Sequence, residues 1–225
     1  MKKICQECPS DGKWLPNSVS SLESYLGKFI KSGEGVPNIV GLRKNIAYNL
    51  QYLQFQKQVL VEFNVTQVIL TQVWKMHIIV GTSIIEALLY YLLTSKGLHK
   101  TTEWEQVAST GNETNIDGEK HKIENTIYKK LENPVPVDMT LDVMIKKAEK
   151  KKLLGTRQEI YKKLNYLRKL RNRVHIHAIG EDYDTDWWKI NKNEVDTVRL
   201  VLYSFLTSSL FKPTTEEKKI FSFLQ

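Results

Sequence analysis

The stretch of this 225-residue chain with the most chemistry in it runs from Leu167 to His177, where Arg168, Arg171, Asn172, Arg173, His175 and His177 fall within eleven positions. A guanidinium is a planar fork of donors that matches a phosphate, and an imidazole can take or give a proton near neutral pH. Groups of both kinds at one point suffice for metal-independent RNA cleavage. A base withdraws the 2′-hydroxyl proton, the 2′-oxygen attacks the adjacent phosphorus, and an acid protonates the departing 5′-oxygen while a cation stabilises the charge gained in between. A plainer role for the same residues is to cap carbonyls and favour the dipole at a helix C-terminus.

These groups need an element to hold them. Ile160, Leu164, Leu167, Val174 and Ala178 recur at helical spacing, with Thr156 as a cap and Gly180 as a stop, which predicts one helix through the whole cluster. At about 100° per residue, Arg171 and His175 then share a side with Arg168 beside them, while His177 projects about 120° away. The expectation is therefore His175 as acid/base partner of Arg171. Arg168 and Asn172 would position the substrate backbone, and His177 would support or touch it.

Charge converges on the same place. Between Lys146 and Arg173, twelve basic and two acidic residues give a net +10, leaving −2 for the rest of a chain whose formal charge is +8. Lys150, Lys151, Lys152, Lys162 and Lys163 form the expected basic patch. Such a stripe suits a polyanion through phosphate neutralisation and counterion release. A solvated lysine-rich helix face has the same composition.

Glu86 stands in the apolar run Ile84-Ile85-Glu86-Ala87-Leu88-Leu89, where a carboxylate is costly unless paired. Arg168 and Arg171 are its expected partners. The alternative is that it faces solvent or a dimer seam.

The remaining pattern is mostly helical, with segments at 20–31, 42–63, 66–95, 138–148 and 194–211 and a short terminal helix after Pro213. Between them, Trp104–Ser109 and His121–Tyr128 are β-prone runs around Gly111, Asn112, Asp117 and Gly118, which predicts a hairpin inserted at 101–130. Residues 1–40 read as an N-terminal helical extension and 41–225 as the main domain, with 101–135 as its insertion.

Several classes are disfavoured. The run Ile78–Leu93 contains Glu86 and is closed by His77 and Lys96, so it reads as a buried helix, and no apolar leader opens the chain; a soluble, cytoplasmic protein with no membrane role is expected. The two cysteines, Cys5 and Cys8, form one C-x-x-C without a second ligand pair, short of the four ligands of a structural zinc. Asp182, Asp184 and Asp186 have the opening spacing of a calcium loop, but Trp187 stands where the turn glycine belongs and Asn193 where the bidentate glutamate belongs. An acidic loop with one of Trp187 and Trp188 packed on the core is expected instead, with no metal and no cofactor.

Leu170-Arg171-Asn172-Arg173-Val174-His175 resembles the signature of the HEPN superfamily, an arginine followed by a polar residue and, a few positions on, a histidine. The segment Thr82–Leu89 is similar to the acid-bearing helix of those domains, and the order of elements between roughly Asn64 and Phe211 is similar too. The resemblance implies an all-α up-and-down bundle, commonly a homodimer that joins two Arg/His motifs in one cleft. It further implies metal-independent endoribonuclease activity in toxin–antitoxin, phage-defence or RNA-processing systems, with an antitoxin or other protein as a possible partner. Other members have lost catalysis and bind RNA, nucleotides or protein. Three residues separate Arg171 from His175, six separate Arg168 from His175 and five separate Arg171 from His177, so the family spacing admits two assignments and does not choose between them.

Overall fold

The computed structural model describes residues 17–177 and 184–225. They divide into two compact units, one built from the residues up to 97 together with those from 140 onward, the other from Leu98–Met139.

In the first unit, helix α1 (Val19–Gly27) begins where the Ser18 hydroxyl accepts a hydrogen bond from the Ser21 amide, and it buries Leu22, Tyr25 and Leu26. The described part of the segment read from sequence as an extension, 17–40, thus contributes to this core through Leu22, Tyr25, Leu26 and Ile30. Tyr25 donates to the Leu206 carbonyl at 2.9 Å and meets the ring of Phe221 edge-on at 4.7 Å. Helix α2 (Ile39–Glu62) packs Ile46, Ala47, Leu50 and Leu53 against α1 and α3.

Helix α3 (Gln67–Ser95) is the hub. It touches α2, α4 (Leu141–Lys150), α5 (Gln158–Arg171), α6 (Asp186–Lys189) and α7 (Lys192–Leu206). By length and composition it could cross a membrane, but within this unit it is a core helix, with Ile78, Ile84, Ile85, Leu88, Leu89 and Leu93 almost fully enclosed. At Gly81 it comes so close to α7 that a Cβ would lie 2.6 Å from Val198 Cγ1. Its end at Gly97, where φ is +64°, suits a residue without a side chain. Helix α8 (Thr215–Ile220), started by a Thr214/Glu217 capping box, leads to the buried Phe221, Phe223 and Leu224.

The second unit is a hairpin of β1 (Thr101–Ile116) and β2 (Glu119–Pro136) joined by Asp117-Gly118, both at positive φ as a tight two-residue turn requires. The strands run longer than the sequence implied. Gly111 and Asn112, expected in the connection, lie inside β1 opposite Glu124 and Ile123. The fold is therefore α-rich with a two-stranded antiparallel hairpin.

Candidate functional site

The site is built at the end of α5. This helix buries Tyr161, Leu164, Leu167 and Leu170, a stripe one position away from the expected one at its start, and it begins after Arg157 with no side-chain cap from Thr156. It stops at Arg171. Asn172–Val174 form a single 3-10 turn with no buried residue, and His175 is extended at φ −81°, ψ 96°. The expectation of one helix running through His175 to Gly180 is corrected here, and with it the shared helical face of Arg171 and His175. Ala178 and Gly180 lie outside the described residues.

The reason for the stop is physical. Val174 and Ile176 stay 46% and 84% exposed, so no apolar contact rewards another α-turn. Arg173 is instead drawn to a distant segment: its Nη1 donates to Asp184 Oδ1 at 3.0 Å, its Nη2 to the Asp184 carbonyl at 3.0 Å, and its Nε to Asp186 Oδ1 at 3.2 Å. Lys75, almost buried on α3, donates to Asp186 Oδ2 at 2.8 Å. Burial alone would raise the Asp186 carboxyl, but the hydrogen bonds from Lys75 and Arg173 outweigh it and hold it below the ordinary carboxylate range. The acidic residues that resembled part of a calcium loop thus serve as counter-ions of Arg173 and Lys75; Asp182 lies outside the described residues, as do Cys5 and Cys8. Among the described residues no three His, Cys, Asp or Glu are grouped to hold a metal ion.

The other two arginines go elsewhere. Arg171 Nη2 donates to Glu86 Oε2 at 3.0 Å, joining α5 to α3, and Arg168 Nη2 lies 3.2 Å from Asp142 Oδ1 at the start of α4. Asp142 also accepts from Lys146, which with Arg168 depresses its carboxyl pKa. Of the three guanidiniums, Arg171 is the most open at 36% exposure, with one of its five N–H donors on Glu86. Asn172, His175 and His177 are exposed, and the two imidazole rings stand 6.0 Å apart. His175 lines a cavity of about 220 Å³ with Lys75, Arg173, Ile176, Asp184, Thr185 and Asp186. Lys150, Lys151, Lys152 and Lys162 face solvent and Lys163 is half-buried.

Both tryptophans that follow Asp186 are exposed, Trp187 by 48% and Trp188 by 70%, against the expectation that one packs on the core.

One polar cluster had no sequence signal. His77, fully buried on α3, accepts at Nε2 from Arg199 Nε of α7 at 3.4 Å. Burial, with Arg199 and Lys57 close by, pushes its pKa down to about 3, so the ring is neutral. Gln54 and Gln58 of α2 are buried as well. A lone histidine in an apolar run reads as one polar residue at a face edge; its partner lies 122 positions away.

Comparison with protein-family models, with curated proteins and with solved structures finds no match.

Proposed function

We propose that this protein is a metal-independent endoribonuclease of HEPN type. The observation that carries the proposal is the placement of Arg171: anchored on Glu86, yet open enough to meet a phosphate, and four residues before an exposed pair of imidazoles. Arg171 would stabilise the pentavalent phosphorane, Arg168 and Asn172 would steady the backbone, and the lysines of α4 and α5 would supply non-specific attraction for RNA.

The balanced reaction needs no external reagent. His175, neutral, takes the 2′-hydroxyl proton; the O2′–P bond forms as the P–O5′ bond breaks; an imidazolium returns a proton to O5′. The products are a 2′,3′-cyclic phosphate and a 5′-hydroxyl. RNA cleavage in excess chelator that disappears in His175→Ala and Arg171→Ala supports the proposal; undiminished cleavage by these variants overturns it.

A second reading is favoured by one observation: each of Arg168, Arg171 and Arg173 already faces a carboxylate. On that reading the chain is a non-catalytic HEPN-like module that holds RNA, a nucleotide or an acidic partner protein. It predicts salt-sensitive binding with no turnover. In either case a homodimer would bring two copies of the motif together, testable by sedimentation.

A further inference from the structure

Helix α5 carries the Arg/His cluster at one end and a second cavity at the other. Between the turn that precedes the helix and the facing side of α7 lies a space of about 480 Å³, within the size range of small-molecule sites. Arg157, which lines it, and Arg171 stand at opposite ends of the fourteen-residue α5, about 20 Å apart along its axis. The cavity is therefore separate from the histidine site.

Much of its lining is apolar: Leu154 from the turn, Ile160 from α5 and Leu200 from α7. Ile160 belongs to the apolar period expected in the core, but Tyr161 takes the buried place and leaves it half-buried. Leu200 is 50% exposed. Each helix thus holds one aliphatic side chain open to the space between them. The wall formed by the turn is fixed in advance. The buried Tyr161 hydroxyl accepts from the Leu154 amide at 3.1 Å and donates to the Gly155 carbonyl at 3.2 Å, and Gly155 reverses the chain at φ +95°, a value that suits glycine. A ligand would not have to order this wall on binding.

The charged part of the lining selects the ligand further. Arg157 and Lys163 line the same cavity, and among the described residues neither side chain has a hydrogen-bonded or ionic partner. Glu159 is the one acid of the lining, so two cations and one carboxylate leave a net +1. A single negative charge balances that excess. An unpaired guanidinium matches the two oxygens of a carboxylate, and the aliphatic surface beside it gains by leaving water. An inorganic anion meets only the first demand and an uncharged apolar group only the second.

We infer that this cavity binds a small organic acid with an apolar body and one carboxylate. The inference is independent of the reading of the His175 site.

The test is a ligand-detected NMR titration of the full chain with octanoate at about pH 8, where the carboxylate is ionised. Octan-1-ol serves as the probe without the charge and acetate as the probe without the apolar body. Octanoate should bind with a Kd of about 1 mM or tighter, octanol at least about fivefold more weakly, and acetate should not compete. The double variant Arg157→Gln/Lys163→Gln should weaken octanoate about tenfold and leave octanol unchanged, whereas Leu200→Ser should weaken both. Unchanged melting of these surface variants shows that they fold; should one melt early, the ligand series on the wild-type chain alone decides. Octanol binding as tightly as octanoate, acetate competing at equal concentration, or wild-type octanoate affinity in the double variant or in Leu200→Ser overturns the inference. So does an oligomer that Leu200→Ser dissociates while octanoate affinity stays the same, since the face would then belong to a second copy.

Discussion

Arg171 donates to Glu86 across the α3–α5 contact at 3.0 Å, so the one guanidinium of the cluster that stays most open is also tied to the central helix. The pair is partly exposed, with Glu86 at 26% and Arg171 at 36%, which limits its stabilising effect to about 1 kcal/mol or less. Its weight lies in orientation. Glu86→Gln should therefore melt close to wild type while cleaving RNA at least about tenfold more slowly, a 1.4 kcal/mol effect on the barrier. Wild-type cleavage rates in Glu86→Gln contradict this role.

The turn bearing His175 depends on Arg173. Replacing Arg173 by Ala leaves Asp184 without its shortest cationic contact and Asp186 with Lys75 alone. Amide hydrogen exchange should speed up in both the 172–177 segment and the turn Asp186–Lys189, with little change in α2. Exchange unaltered in either segment would show that the ion pairs do not hold the two together.

Much of this arrangement could be read from the sequence, and what could not is local and explicable. The cores of α1, α2, α3 and α7 follow apolar periods such as Ile46, Leu50 and Leu53, because helix burial is decided by residues three and four apart. The end of α5 was not legible. Val174 and Ala178 continue the period, and the residues that stop the helix, Asp184 and Asp186, lie eleven and thirteen positions beyond Arg173. Glu86 could be recognised as a carboxylate in need of a partner, and the structure sets it on Arg171. His77 could not, since its burial depends on the approach of α7. The exposure of Trp187 and Trp188 ran against composition for the same reason: whether a ring finds a core is settled by tertiary placement.

Gly81 marks the closest approach of α3 and α7. Gly81→Ala puts a methyl group 2.6 Å from Val198 Cγ1 and 3.3 Å from Leu202 Cδ1, and the β-branched valine has little freedom to retreat. The expected cost is about 1–3 kcal/mol. Adding Val198→Ala should recover part of it, read by denaturant midpoint. A Gly81→Ala protein as stable as wild type contradicts the packing.

His77 gives the fold an acid sensitivity of known sign. Its folded pKa of about 3 lies below the ordinary 6.5, so the unfolded chain binds more protons between these values and stability falls as pH is lowered through that window. The slope from this residue approaches about 1.4 kcal/mol per pH unit at most. His77→Gln, which cannot charge, should flatten the dependence of stability between pH 6 and 4, allowing for whatever it costs at neutral pH. Parallel curves for the two proteins would show that His77 is not held neutral.

The most direct test of the account is cleavage of an end-labelled single-stranded RNA by the purified chain in excess chelator, with the product termini identified. The account predicts fragments ending in 2′,3′-cyclic phosphate and beginning with 5′-hydroxyl, lost in both His175→Ala and Arg171→Ala. Equal cleavage by either variant, or RNA bound by wild type and left intact, contradicts it.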